Sequence, residues 1–253
     1  MSNYPEYEFP LNEFIRNALK VDRLLSYFQK ETKTTSELGL RNILSRLLEL
    51  HALLSRSELK NELIKELEKK IKRLSSMELM DSVDHSTLNN IIRQLNDSLK
   101  SLKGIPPDTY SKPLPYLIDS VKQRDSVPGG QFDFDLPAYK CWLSSDPDAC
   151  YQEALGCISD YLPITRTIDM YMDLLRQSSQ YIRHRAENGF LQLNDNEKSE
   201  LLIIRLQTQN RIYPEISGGK HRVFVRFMEL TSIDEKPLQT KKDIEFEVKS
   251  CFI

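Results

Sequence analysis

The chain has 253 residues, a formal net charge of −2, and an ordinary balance of 40% hydrophobic and 28% charged residues. That is enough chain to bury a core without disulfide or metal staples, and the near-neutral charge excludes a polyanion-binding surface spread over the whole molecule, leaving only a local patch for such a role. Only eight glycines are present, with no GxGxxG or GxxxxGKS run, so the usual phosphate-cradling loops are excluded as well.

The N-terminal MSNYPEYEFPLNEF carries acids and prolines and lacks the apolar run of a signal peptide. No segment approaches the roughly 20 apolar residues of a membrane span, so a cytoplasmic protein is expected. Residues 5–10 are extended between two prolines. Asn12 then caps a predicted helix to about Gln29, with Phe14, Ile15, Ala18, Leu19, Leu25 and Phe28 at helical spacing. Ser36 opens a second helix carrying Leu40, Ile43, Leu44, Leu47 and Leu48. Ser57 caps a third with Leu63, Ile64, Leu67, Ile71 and Leu74, whose other face is a solvated run of Glu and Lys. Asp84 or Ser86 opens a fourth with Leu88, Ile91, Ile92, Leu95, Leu99 and Leu102. Four amphipathic helices with short links predict a bundle or layered helical domain.

GIPPD at 104–108 stops that run. A short helix is predicted at 114–124, then a turn at VPGG, 127–130. Phe132 and Phe134 alternate with Asp133 and Asp135, which reads as a strand. Pro137 opens a short helix with Tyr139, Lys140 and Trp142. A long helix is expected over 147–183, broken or bent near Pro163, with Leu162, Ile168, Leu174, Leu175 and Ile182 as core candidates. Strands are predicted at 199–208, 220–230 and 243–250, forming one small, mostly antiparallel sheet, with a polar, mobile connection at 231–242. The fold class is therefore α+β, a mainly helical domain plus a smaller strand-containing one.

Four features invite a chemical reading. In SGGKHRVFVRFMEL, 217–230, the odd positions Val223, Val225 and Phe227 are apolar, whereas Lys220, Arg222 and Arg226 are cationic with Phe224 between the arginines. Alternation places one set on a core and the other outward. Cations around a ring suit an acidic peptide with apolar side chains, and the same pattern also serves as a solvated strand face. A second reading makes Phe224 a nucleic-acid stacking platform; the net charge and the single ring speak against it. Asp133 and Asp135 resemble a paired-carboxylate hydrolase site, but no nucleophile accompanies them, and Asp135 has a helix-cap role available. Arg176, Arg183 and Arg185 read as a basic helix end that complements the helix dipole or joins the cationic face. His51, His85, His184 and His221 show no triad or metal spacing, and His51 in a leucine-rich helix reads as a packing or surface histidine. Cys141, Cys150, Cys157 and Cys251 form no CxxC pair, so free thiols are expected and neither metal nor cofactor is.

FPLNE at 9–13, VPGGQFDFDLP at 127–137 with Trp142-Leu143, DLLRQS at 173–178, GFLQ at 189–192, and YPEISGGKHRVFVRFMEL at 213–230 occur in this order. Together they resemble the ZapD family, bacterial cell-division proteins that associate with the tubulin-like protein FtsZ. The resemblance implies a non-enzymatic homodimer joined largely through its helices. Residues 12–125 would be the helical, dimerising domain, and 1–11 with 126–253 the strand-containing domain. It further implies a basic pocket for the C-terminal peptide of FtsZ and crosslinking of filaments at the mid-cell Z ring. Neither membrane nor nucleic acid is an expected partner. Carried over singly, Lys220, Arg222 and Arg226 fall in the family's basic strand, where Val223 stands at a position often held by Phe. Arg176 lies in the LLRQS block, and Arg16 follows FPLNE. Lys20 and Lys140 stand where relatives carry Arg and His. No role carries over to Tyr116.

Overall fold

The computed structural model describes residues 4–31, 36–56, 58–79, 84–130, 132, 134–193, 199–206, 211–218 and 222–253. The chain divides into two units, Lys20–Asp169 and Met1–Leu19 with Met170–Ile253. The divisions fall inside two helices, α1 (Glu13–Glu31) and α8 (Leu162–Gln177). Residues 126–169, grouped with the strands on sequence alone, belong to the first of these units.

The helical unit begins as its capping residues dictate. The Asn12 carboxamide oxygen accepts from the Ile15 N–H at 2.8 Å and starts α1. Ser36 Oγ accepts from Gly39 N at 3.1 Å and starts α2 (Glu37–Arg56). One side of α2 buries Leu40, Ile43, Leu44, Leu47, Leu50 and Leu54 against α5 (Tyr116–Arg124) and α7 (Pro147–Ile158). The third helix, α3 (Leu59–Ser76), has Glu58 at its N-cap without a side-chain cap bond; Ser57, the expected cap, lies outside the described residues. α3 pairs with α4 (His85–Lys103) through Leu59, Leu63 and Leu67 on one side and Leu88, Leu95 and Leu102 on the other. Asp84, not Ser86, is the cap of α4: its carboxylate accepts from Ser86 N at 3.0 Å and Thr87 N at 3.3 Å. His51 is buried, with Nδ1 2.9 Å from the Tyr161 hydroxyl, and is a packing histidine as expected.

Two local expectations in this unit fail. The strand expected at FDFD is absent among the described residues. Phe132 N donates to Gly129 O at 3.1 Å and Asp135 N to Phe132 O at 3.0 Å, so the turn begun at Val127 simply continues. Two alternating pairs between Pro-Gly-Gly and Leu-Pro are too short to recruit a partner strand, and local turns satisfy the backbone instead. Asp135 is not the cap of α6 (Pro137–Leu143); Leu136 holds that position, and Asp135 lies 4.0 Å from Arg124. The helix expected over 147–183 does break near Pro163, into α7 and α8 separated by a 3-10 turn at Ser159–Tyr161, and it ends at Gln177. Pro163 sits in the first turn of α8, where its missing N–H costs no helical bond.

The other unit is a two-sheet sandwich, not the single sheet expected. Its strands are β1 (Glu6–Pro10), β2 (Ile182–Ala186), β3 (Phe190–Leu193), β4 (Leu201–Leu206), β5 (Ile212–Gly218), β6 (Val223–Glu229), β7 (Leu238–Gln239) and β8 (Ile244–Cys251). One sheet runs β1-β4-β8-β2; the other runs β3-β6-β5, with β7 also on β6. Every pairing is antiparallel. Leu202, Ile204, Leu206, Ile244, Phe246 and Val248 of the first sheet meet Val223, Val225 and Phe227 of the second. The Phe227 and Phe246 rings touch edge to face at 4.8 Å. Each such side chain contributes roughly 1.5–3 kcal/mol by leaving water. β4 is apolar on both sides because the first sheet is covered twice. Its other face lies under the start of α1 and the end of α8, where Phe14 packs on Tyr171 at 5.6 Å and the Tyr171 hydroxyl donates to Glu200 at 3.1 Å.

The end of the helix expected to 183 is therefore the start of the edge strand β2, and Ile182, a core candidate by helical spacing, is 64% exposed. Arg183 and Arg185 answer no helix dipole. Arg183 lies 3.9 Å from Glu247, and Arg185 lies 2.6 Å from Asp243. The 231–242 connection also contains a strand, β7, paired at Met228↔Gln239 and Glu229↔Leu238.

Candidate functional site

The outward side of β6 is built from the strand period. Val223, Val225 and Phe227 are fully buried, so Phe224 and Arg226 point away from the sandwich core, and Arg222 emerges exposed just before the strand. Arg226 stands in register between Phe190 of β3 and Glu215 of β5, and Phe224 between Gln192 and Ser217. The Phe190 and Phe224 rings stack with centroids 6.2 Å apart and planes 18° apart. Among the described residues, no carboxylate lies within ion-pair distance of Arg222 or Arg226. Glu215 is the nearest acid in register; the Tyr213 hydroxyl donates to it at 3.5 Å. The Tyr213 phenol is raised above its usual range by desolvation and then by that carboxylate.

Two backbone positions hold this face. Gly218, with φ +139, ends β5 where a Cβ would lie 2.2 Å from the Arg222 carbonyl oxygen, so only glycine lets the β5–β6 hairpin close there. Asn188 and Gly189, both with positive φ, form the tight turn between β2 and β3 that carries the chain from one sheet to the other. Asn188 N donates to Asp243 at 2.9 Å, and Phe227 N donates to Gly189 O at 2.8 Å. Phe190 is delivered beside Arg226 by this turn.

Lys220 and His221 fall outside the described residues, as does Asp133. Arg176 is on the opposite outer face of the sandwich, with Nε 2.7 Å from the Glu8 carboxylate of β1 and Nη1 3.6 Å from Asp173. It ties α8 to the edge of the first sheet. Arg16 is exposed on α1, 3.5 Å from Glu13, and Lys20 is exposed on the same helix. Lys140, in the helical unit, lies 3.8 Å from Glu37, beside Arg41 stacked on Tyr139 at 5.0 Å. Thus the structure joins Arg222, Phe224 and Arg226 and does not join Arg176 to them. It adds Phe190, which sequence reasoning placed in a motif without giving it a part. The Asn-Gly turn followed by alternating FLQL was the available signal for a hairpin strand there.

The same structure weakens the catalytic alternative, since Asp135 lies in a turn and not on a strand face. Among the described residues, no three His, Cys, Asp or Glu side chains are placed to hold a metal ion. Among the described residues, no helix is long and apolar enough to cross a membrane.

The family model for ZapD, a cell division protein, matches residues 19–226. The chain belongs to the ZapD family. The family's cell division protein from Methylococcus capsulatus is 31% identical over 261 residues, covering all of both chains. That from Cronobacter sakazakii is 30% identical over 251 residues, covering 99% of this chain and all of the relative. That from Shigella flexneri is 31% identical over 245 residues, covering 97% and 98%. Full-length matches of this kind make the chain a cell division protein and not an enzyme.

Proposed function

We propose that the chain binds the C-terminal peptide of FtsZ through the outer side of β6 and, as a homodimer, crosslinks FtsZ filaments at the division site. The observation that carries this reading is the pair of exposed arginines, Arg222 and Arg226, flanking Phe224 without carboxylate partners among the described residues. Planar guanidinium forks on a rigid strand bind carboxylates bidentately. Lys220 extends the cationic run in sequence; Arg16, Lys20 and Lys140, which the family resemblance also implies, are not on this strand. Arg176 is assigned to holding α8 against β1.

An exposed basic face gives one peptide a modest, salt-sensitive affinity. A filament offers many copies, and a dimer engaging two gains about 10²–10⁴ in avidity where the geometry allows. The test is fluorescence polarisation of a labelled C-terminal peptide from the same organism's FtsZ, at low and moderate salt. Saturable, salt-sensitive binding that vanishes in a folded, dimeric Arg226→Glu variant is expected. A folded wild-type dimer that leaves the peptide free overturns the proposal. So does retention on DNA with no binding of the peptide.

A further inference from the structure

The stacked rings of Phe190 and Phe224 serve no purpose in the sandwich core. That core takes Val223, Val225 and Phe227 from β6, and Leu191 and Leu193 of β3 pack against it from the neighbouring strand. Phe190 and Phe224 stand on the other side, where Phe190 remains 39% exposed. Aromatic rings held in a fixed stack on a solvated, cationic sheet face are available to a ligand. Their placement relative to charge is set by register. Arg226 is directly beside Phe190, Phe224 and Arg226 stand at alternate positions of β6, and Arg222 continues that alternation just before the strand. Successive groups on that side are thus about 6.5–7 Å apart, the repeat of an extended chain.

We infer that Phe190 and Phe224 form an apolar shelf that selects which acidic segment binds. The ligand is an extended peptide whose apolar side chain rests on the two rings, with carboxylates two residues to either side reaching Arg222 and Arg226. Charge complementarity supports this occupant, because neither arginine meets a carboxylate of this chain among the described residues. Glu215, opposite Arg226 on β5, repels an acidic chain on that flank and favours an approach over β3, where Phe190 stands. This inference rests on the peptide-binding reading above and adds Phe190 as its specificity-determining residue.

The test compares wild type, Phe190→Ala and Arg226→Glu in the same polarisation assay with the labelled FtsZ peptide, at low and moderate salt. Phe190→Ala is expected to weaken binding about ten-fold at both salts, since loss of an apolar contact is not screened. Arg226→Glu is expected to remove binding. A peptide with its apolar residues changed to Ser should bind wild type about as weakly as the intact peptide binds Phe190→Ala, with little further loss when both changes are combined. If Phe190→Ala loses its circular dichroism signal, Phe190→Leu takes its place, keeping the half-buried base of the side chain without the ring. Wild-type affinity in the folded Phe190 variant, with binding lost in Arg226→Glu, overturns the shelf and leaves the peptide site standing. Unchanged binding in Arg226→Glu overturns the peptide site itself.

Discussion

At the residue scale, His51 shows how burial sets a titration. Its ring is 6% exposed and held by the Tyr161 hydroxyl, which itself stacks on Tyr110 at 5.5 Å. Burial lowers its pKa below the usual 6.5, and the positive charge of Lys122 lowers it further, against a smaller opposing pull from Asp119. The folded chain therefore binds the proton less readily than the unfolded chain. Its contribution to stability is complete above pH 6.5 and is lost as pH falls from there through the lowered folded value. The melting temperature should drop as the pH is taken from 7.5 to 5.5, and His51→Gln should flatten that part of the profile. An unchanged slope in the variant would place the acid sensitivity elsewhere. Arg226 is read by an opposite route, through exposure, and its charge reversal is a test of binding with the fold intact.

At the scale of elements, the β2–β3 turn is tightly constrained backbone. Gly189 has φ +68, and a Cβ there would lie 2.6 Å from the Thr240 carbonyl oxygen. Gly189→Ala should cost roughly 1–3 kcal/mol, from the left-handed backbone and the clash together. Gly156, inside α7, has nothing within 4 Å of such a Cβ, so Gly156→Ala should stabilise by about 0.5–1 kcal/mol. Urea midpoints shifting in opposite directions would verify both. These elements also show what was legible in the sequence. Helix starts at Asn12, Ser36 and Asp84 are local chemistry, and the alternation of 223–227 and 244–248 is a local period, so both were readable. The second sheet was not, because it depends on β3 and β5 finding β6, a pairing that no short window encodes. FDFD misled in the opposite sense, since its alternation had no partner strand to use it. The candidate site divides on the same line: Arg222, Phe224 and Arg226 follow one another in a single alternating run and are legible in the sequence, while Phe190 comes beside Arg226 only through register.

At the scale of the whole molecule, the proposed function makes binding and bundling separable by experiment. A variant that binds the FtsZ peptide with wild-type affinity but runs as a monomer on size exclusion should fail to sediment FtsZ bundles, because the avidity of two linked sites is gone. Sedimentation of bundles by such a monomer would require a second FtsZ contact on one chain. The structure also carries a consequence for how the chain is made. Among the described residues, β1, residues 6–10, pairs with β4, residues 201–206, and β4 is flanked by β8, residues 244–251. The loop entropy of so distant a pairing rises only with the logarithm of its length, but the delay is imposed by translation itself. At about 5–20 residues per second, the nascent chain exposes its first strand for roughly ten seconds or more before the partner is synthesised. The helical unit between them can fold during that wait, and the sandwich closes only when β1 meets β4.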